Sequence, residues 1–581
     1  MNRALTNARP LQQTLIRQRI MRGEGRGIPS CLRPVAAVLA TLGLWSGNAA
    51  AFQFEPNNPD TEIRWDNQIR YNVGWRVDER DRTLGDTWSL QGGDYKFDKG
   101  DVVTNRLDLL SEFDFVYKKN YGFRVSGSAW DDFAYNDDVT GNPAYQAAGL
   151  GTAYAGNRFT SSASRYYTHS AEFLDAFAFG RVDLGGAPLD VRVGRHNIYW
   201  GESLFTPIHG VSYSQGAVNF VKSLATPGSE AKELFLPRNQ ISALLRLNDT
   251  YSIAAQYALE WKPYRLPEGG TYLAATDYLF SGGTRISPIT NAPFLGDLDN
   301  GPFAKPKNRG DWGLNAKAAT GFGTIGLYYR KFDDKVPQFL SRANPTQYFS
   351  TYAKDVKLWG VSLSKLVSGG VSLGAEIVHR NNSVLNTVFG ARDLARGDTW
   401  HGLVNAVAVI GKTPLFDLAS LSGELTYSRL DKLRSDPSTF RSVDYVCAGV
   451  GGDPRGSWRD GCSTKDAWGL QISFTPTWYQ VLPALDLSMP ATYARGLKGN
   501  SPVPFGGNQN AGSWSLGLSA DYQAKYTFSL AYTDYYGPSR AVSTPAAFAV
   551  PGIGPTVLGS SNGNGNLRDR GWLSLTFKTT L

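Results

Sequence analysis

The chain has 581 residues, a formal net charge of +8, 13% aromatic residues and three cysteines. Seven arginines against one glutamate precede residue 52, so six of those eight charges belong to the N-terminal segment and the rest of the chain is nearly neutral. That excludes the concentrated basic surface of a nucleic-acid binder, and no apolar run reaches the roughly 20 residues that a transmembrane helix needs.

The arginine-rich start, the apolar run from Val35 to Trp45 and the closing Ala49, Ala50 and Ala51 read as a secretory signal peptide over 1–51. Translation from Met21 would leave an ordinary leader and the same mature chain. Cys31 leaves with it. Cys447 and Cys462 remain as an even pair in an exported chain, so a disulfide is favoured over a metal site or redox pair, there being no histidine near either.

The first mature segment, "EIRWDNQIRYNVGWRV" from 62 to 77, places Ile63, Trp65, Ile69, Tyr71, Val73, Trp75 and Val77 on one face and polar residues on the other. Period two over such a length suits a tilted membrane strand of 9 to 11 residues that continues beyond the hydrocarbon. The pattern recurs in pairs near 104–135, 168–196, 239–262, 310–333, 356–380, 399–429, 465–495 and 512–536, and once more at 568–581. Tight links at 118–122, 247–251, 320–324, 367–371 and 520–526 alternate with long polar segments, as periplasmic turns alternate with extracellular loops. The expectation is an all-β, transmembrane antiparallel β-barrel over 52–581, of about 18 strands, in the cell outer membrane with its lipids as partners. Sixteen strands stay open because 187–196 and 399–411 are less regular. The chain ends on the alternating "GWLSLTFKTTL" because the last strand must pair with the first. Ile69, Tyr71, Val73, Leu575 and Phe577 are expected to face lipid.

Residues 197–237 fit neither strand nor ordinary loop, being too apolar and too rich in specific polar groups. They are expected to form a constriction or plug in the lumen, or a cover over its mouth, with a short helix around "GSEAKELF" capped by Ser229. Arg192, Arg195, Glu202, Glu230 and Lys232 are the candidates for pinning this insert. Trp200, Phe205 and Phe235 are the candidates for lining a passage beside it. Asp190, Arg192 and His196 end the preceding strand and look inward.

The strand ending in Gly194 and Arg195, then Trp200, Gly201, Glu202 and Ser203, then Pro227, Gly228, Ser229, Glu230, Lys232, Glu233, Leu236 and Pro237, resembles domain-of-unknown-function family 1302 of proteobacterial outer-membrane proteins. The early "FQF" at 52–54 and the pair Glu260 and Trp261 match as well. The resemblance implies the barrel and its location. It also implies a periplasmic protein and an inner-membrane pump as partners, and so movement of a hydrophobic compound or lipid. It supplies no catalytic residues.

On the first strands Arg64, Asp66, Arg70, Arg76, Arg106, Asp108, Glu112, Asp114 and Arg124 look inward with both signs of charge. Such a lumen is wet and focuses a field across the pore. A single-sign arginine ladder is not apparent. The five histidines form no HExxH and no close cluster with cysteine or aspartate, and neither an enzyme nor a cofactor is expected; the acidic stretch 131–138 reads as a solvated loop start. The favoured function is a channel or transporter for hydrophobic or amphipathic molecules or lipids. The alternative is a general or substrate-selective porin for small hydrophilic solutes, and a surface-binding or structural barrel comes third. The lining of the narrowest point discriminates the first two.

Overall fold

The computed structural model describes residues 52–54, 58–81, 84, 92–147, 152–277, 299–301, 303–341, 347–388, 391–448, 455–543 and 557–581; the expected leader lies outside them. A sheet in lipid must leave no backbone edge unpaired. Eighteen antiparallel strands meet this requirement by closing on themselves. They are β1 (Thr61–Arg76), β2 (Val102–Tyr117), β3 (Tyr121–Asp132), β4 (His169–Asp183), β5 (Pro188–His196) and β6 (Arg238–Arg246). There follow β7 (Tyr251–Ala258), β8 (Trp312–Thr320), β9 (Gly323–Phe332), β10 (Val356–Val367), β11 (Val371–Val384) and β12 (Arg396–Ile410). The last six are β13 (Leu418–Leu433), β14 (Asp466–Leu482), β15 (Leu485–Ser488 and Ala491–Lys498), β16 (Gly512–Tyr522), β17 (Tyr526–Tyr536) and β18 (Trp572–Thr580). The count is eighteen, not sixteen: β5 and β12, the irregular segments of the sequence, both pair fully on either side. Pro490, which has no N–H to donate, interrupts β15.

The barrel closes between β1 and β18, from Gln68 opposite Thr580 to Arg76 opposite Trp572. Leu581 then exchanges two backbone hydrogen bonds with Asn67. Beyond that point Phe52–Phe54 takes over the edge of β1, opposite Ile63, Arg64 and Trp65. Phe52–Phe54 and the last strand thus cover one strand edge between them.

The wall is apolar outside and polar inside. Leu109, Phe173, Leu327, Val361, Ile377, Val404 and Leu530 stand exposed on the outer face, while Arg70, Asp108, Arg330, Glu376, Arg380 and Glu424 are buried in the interior. Tyr329, Trp359, His379 and Trp400 form an aromatic row on neighbouring strands at the extracellular interface, with ring centroids 4.3 Å apart at one end and 4.4 Å at the other. Tyr71 and Val73 keep the outward register yet are only 6% and 3% exposed. The Tyr71 hydroxyl donates to Asn105, which stands opposite Val73, so the ring lies along the wall and covers it.

Short turns close one end. The extracellular loops pack together over the other, around Phe97, Tyr135, Tyr154, Phe159, Tyr167 and Tyr272. Arg76, at the end of β1, reaches Asp94 and Asp569, each at 3.1 Å, and Arg570 reaches Asp94 at 3.0 Å, joining two loops by buried charges. The Cys447–Cys462 disulfide staples the loop between β13 and β14, with Cα atoms 5.9 Å apart.

Candidate functional site

The insert 197–237 runs from β5 to β6 and bonds to inward side chains on both sides of the barrel. On one side two wall carboxylates take its backbone. Glu376 of β11 accepts from the N–H groups of Glu202, Ser203 (3.0 Å) and Val211 (2.5 Å). Glu424 of β13 accepts from Leu204 (2.7 Å), Phe205 (3.3 Å), Thr206 (2.8 Å) and the Thr206 hydroxyl. Asn405 of β12 donates to the Glu202 carbonyl at 2.7 Å, and Arg330 of β9 donates to the carbonyls of Val211 (2.7 Å) and Tyr213 (2.6 Å). Gly201 has φ of +94°, and a Cβ there would run into the Glu376 carboxylate. Glycine at this place therefore serves both the turn and the grip.

On the opposite side the grip is ionic. Arg70 of β1 forks onto Glu233 at 2.7 and 3.0 Å and donates to the Gly228 carbonyl at 3.2 Å. Lys222 of the insert stands 3.1 Å from Glu233 and 3.7 Å from Asp108 of β2. Lys232 pairs with Glu112 and, at 3.1 Å, with Glu230; Gln68 and Lys578 also reach Glu230. Burial raises the Glu233 carboxyl, but the Arg70 hydrogen bonds and the charges of Arg70 and Lys222 outweigh it and hold the group down at about 2. Residues Ala231–Leu234 form the expected short helix, but Ser229 does not cap it. Glu230 and Glu233 make a reciprocal capping box, while the Ser229 hydroxyl turns back to the Thr226 carbonyl. A second short helix, Phe220–Ala225 with Asn219 as its cap, had no counterpart in the sequence reading.

A chain of imidazoles ties the insert to the mouth. His209 Nε2 lies 2.9 Å from the Gly506 carbonyl, which can only accept, so that nitrogen carries the proton. His209 Nδ1 then accepts from His401 Nδ1 at 3.1 Å, which leaves His401 Nε2 to accept from Arg380 and from Thr399 at 2.9 Å. Both rings are neutral in this arrangement. Insert, wall and the loop between β15 and β16 are joined in one directional relay.

Two chambers flank the start of the insert. The first, about 620 Å³, lies at the periplasmic end of β3 to β8 and is lined by Lys119, Arg181, Arg192, Arg246 and Lys317 against Asp190 as its one carboxylate. Asp190 is shared between Arg181 (2.6 Å) and Arg246 (2.5 Å). The second, about 470 Å³, is bounded by Arg124, Asp175, Phe177, His196, Lys232, Phe235 and Tyr264. Arg192 and the segment Asn197, Ile198, Tyr199 border both. Five cations facing one carboxylate are a single-sign patch that the sequence did not display, because each cation comes from a different segment and they meet only when the barrel closes.

Residues 32–581 match the family described as "Protein of unknown function (DUF1302)". The chain belongs to the DUF1302 family. No functionally curated protein matches it. Among solved structures, OccAB1 of Acinetobacter baumannii is 13% identical, with 92% of this chain and 99% of that one covered and a TM-score of 0.37. OccK2 (OpdF) of Pseudomonas aeruginosa in complex with glucuronate is 9% identical over 89% and 98%, at 0.36. A BenF-like porin from Pseudomonas fluorescens Pf-5 is 11% identical over 90% and 99%, at 0.37. Superpositions this loose leave the pore chemistry to be read from the DUF1302 chain's own residues.

The residues behind the DUF1302 resemblance fall on the grip just described. Gly194, at φ +123°, lets β5 pass the backbone of Ala176 and Phe177; Gly201 and Ser203 meet Glu376; Gly228 and Glu233 meet Arg70. Of the candidate site residues, Glu202, Glu230 and Lys232 bond to the wall. Trp200 is buried against Tyr328, its backbone N–H donating to the Gln215 side-chain oxygen. Phe235 borders the second chamber, packed edge-on to Tyr199 at 5.6 Å. Phe205 offers its backbone to Glu424 and borders neither chamber. Arg195 does not hold the insert: it takes the outward register of β5, pairs with Glu260 at 3.6 Å and donates to the Phe173 carbonyl. Arg192 looks inward but is exposed, beside Phe177. Asp114 accepts from Arg124 and Arg64, and Asp66 stands opposite Glu112 in the register. Glu376 and Glu424 were missed, as was the imidazole relay. Their inward register was readable, but the groups they hold are backbone amides, which leave no trace in side-chain chemistry.

Among the described residues no group of histidine, cysteine and carboxylates could hold a metal ion. The described structure is a closed barrel with a charged interior, crossed by an insert bonded to its wall.

Proposed function

We propose that this protein is a substrate-selective outer-membrane channel for small hydrophilic anions. The periplasmic chamber carries the reading. Its acid is clamped between two arginines, and Lys119, Arg192 and Lys317 border it without an ion pair among the described residues. Two of the insert's three acids are matched by cations, Glu230 and Glu233 by Lys232, Lys578, Arg70 and Lys222; the third, Glu202, accepts from the Ser362 hydroxyl, and the wall's Glu376 and Glu424 accept from backbone N–H groups. Five cations against one carboxylate make the field in the periplasmic chamber positive, and a low-dielectric wall concentrates it.

A carrier of hydrophobic molecules working with a periplasmic protein and an inner-membrane pump is the second reading. The apolar wall of the second chamber, with Phe177, Tyr199 and Phe235, favours it. The cations along the route weigh against a fully apolar cargo.

Reversal potentials of the full mature chain in planar bilayers under a potassium chloride gradient test the proposal. Anion preference, reduced by Lys317→Gln together with Lys119→Gln, is expected. A cation-selective or non-selective current would overturn it.

A further inference from the structure

We infer that Arg192 is the head-group contact of a binding site for organic monoanions that carry a short apolar body. The inference rests on the channel reading above and names its cargo. Three cations border the second chamber, and two of them are already engaged. Arg124 forks onto Asp114 through Nε and Nη2, each at 2.7 Å, and Lys232 is held by Glu112 and Glu230. Arg192 has neither ion pair nor hydrogen bond among the described residues, and it is exposed to the interior. Its guanidinium lies over the Phe177 ring, 5.6 Å from the centroid. Stacking of that kind orients a planar fork and leaves its N–H edge for an anion, which arginine grips through two parallel bonds.

Beside this fork the wall is apolar. Ile198, Tyr199, Leu204 and Phe235 line it together with Phe177. The Tyr199 hydroxyl is already donated to the Ser203 carbonyl at 2.8 Å, so it is the ring that Tyr199 offers. A space of about 470 Å³ suits a small organic molecule. Asp175 borders the same chamber and sets the charge of the guest. One negative group is balanced by Arg192, whereas a second would meet the Asp175 carboxylate. Because Arg192 borders the basic chamber too, the same contact hands the anion on towards Lys317.

The test uses the full mature protein in planar bilayers carrying chloride, with sodium acetate, hexanoate, phenylacetate or succinate added at equal concentration. Interruptions of the current should lengthen from acetate to hexanoate and phenylacetate, and succinate should interrupt less than hexanoate. Arg192→Gln should shorten phenylacetate events about tenfold, and Arg192→Lys should restore part of them. Phe235→Ala should erase the advantage of phenylacetate over acetate. Equal events for acetate and phenylacetate in the native protein would overturn the apolar wall, and unchanged events in Arg192→Gln would overturn the head-group contact. Either result with anion preference intact sinks this inference alone; loss of anion preference in the native protein sinks the channel reading instead.

Discussion

Replacing Glu376 and Glu424 by alanine should release the insert. Each carboxylate accepts from three backbone N–H groups of 202–211, and Glu424 from a hydroxyl besides. Hydrogen bonds to a charged acceptor are worth roughly 1.5 to 3 kcal/mol each, and water entering the lumen would take over part of the loss. A net cost of about 3 kcal/mol per glutamate follows, roughly a hundredfold in the ratio of held to released insert. Both side chains face the interior, so the lipid contacts of β11 and β13 survive and the barrel should still assemble. Single-channel recording is the assay. The native protein should show a steady small conductance, either single variant should flicker to a larger level, and the double variant should dwell there. Glutamine at both positions keeps one acceptor and should lie between. A double alanine variant with native β-sheet content and native, steady conductance would refute the view that these carboxylates hold the insert.

Four further outcomes are expected. Arg70→Ala leaves Glu233 with Lys222 as its one cation, while Asp108 keeps Arg106; breaking a buried pair costs about 3 to 5 kcal/mol, so the opposite side of the insert should loosen and conductance should become noisy, which single-channel recording reads. The same contact has a pH signature. Glu233 is held below its unfolded value of 4.5, at about 2, so its contribution is complete above 4.5 and is lost as pH falls towards 2; conductance should be flat from about pH 8 to pH 5 and rise reversibly only in stronger acid. Leu109→Arg puts a charge on the exposed outer face opposite Ile69 and should impair assembly by roughly 2 to 4 kcal/mol, visible as a lower urea midpoint, whereas Val73→Arg would also overpack a covered position. Thiol labelling of denatured, unreduced mature protein should find no free cysteine, and reduction should mainly loosen the loop closed by Cys447 and Cys462, whose closure is worth about 3 kcal/mol in the simplest entropic account.

The barrel was legible because lipid inverts the usual pattern and imposes period two on each strand. Even β5 and β12 fell within the predicted pairs. The insert was legible for the opposite reason, as the one segment whose apolar and charged residues obey no period. Its grip was only half readable. Arg70, Glu230 and Lys232 could be foreseen because charges seek charges, whereas Glu376 and Glu424 seek amides that any residue carries. Arg195 was misplaced although the strand runs on through Gly194 to His196, so that plain alternation from Val191 and Val193 sets it on the outer face. Tyr71 and Val73 show that register assigns a face but not what lies across it. The basic chamber depends on closure, since no one strand holds more than a fraction of it.

A tether made of amide hydrogens is indifferent to the side chains it holds. At 204–206 the wall recognises only that an N–H is present, so proline is the one residue barred by the grip itself, while Leu204 and its neighbours are free to diverge. Related chains can therefore exchange the residues that meet a solute without refounding the part that keeps the segment in place. Diversification of cargo and preservation of architecture are written in different positions, and a lineage can revise the first while inheriting the second.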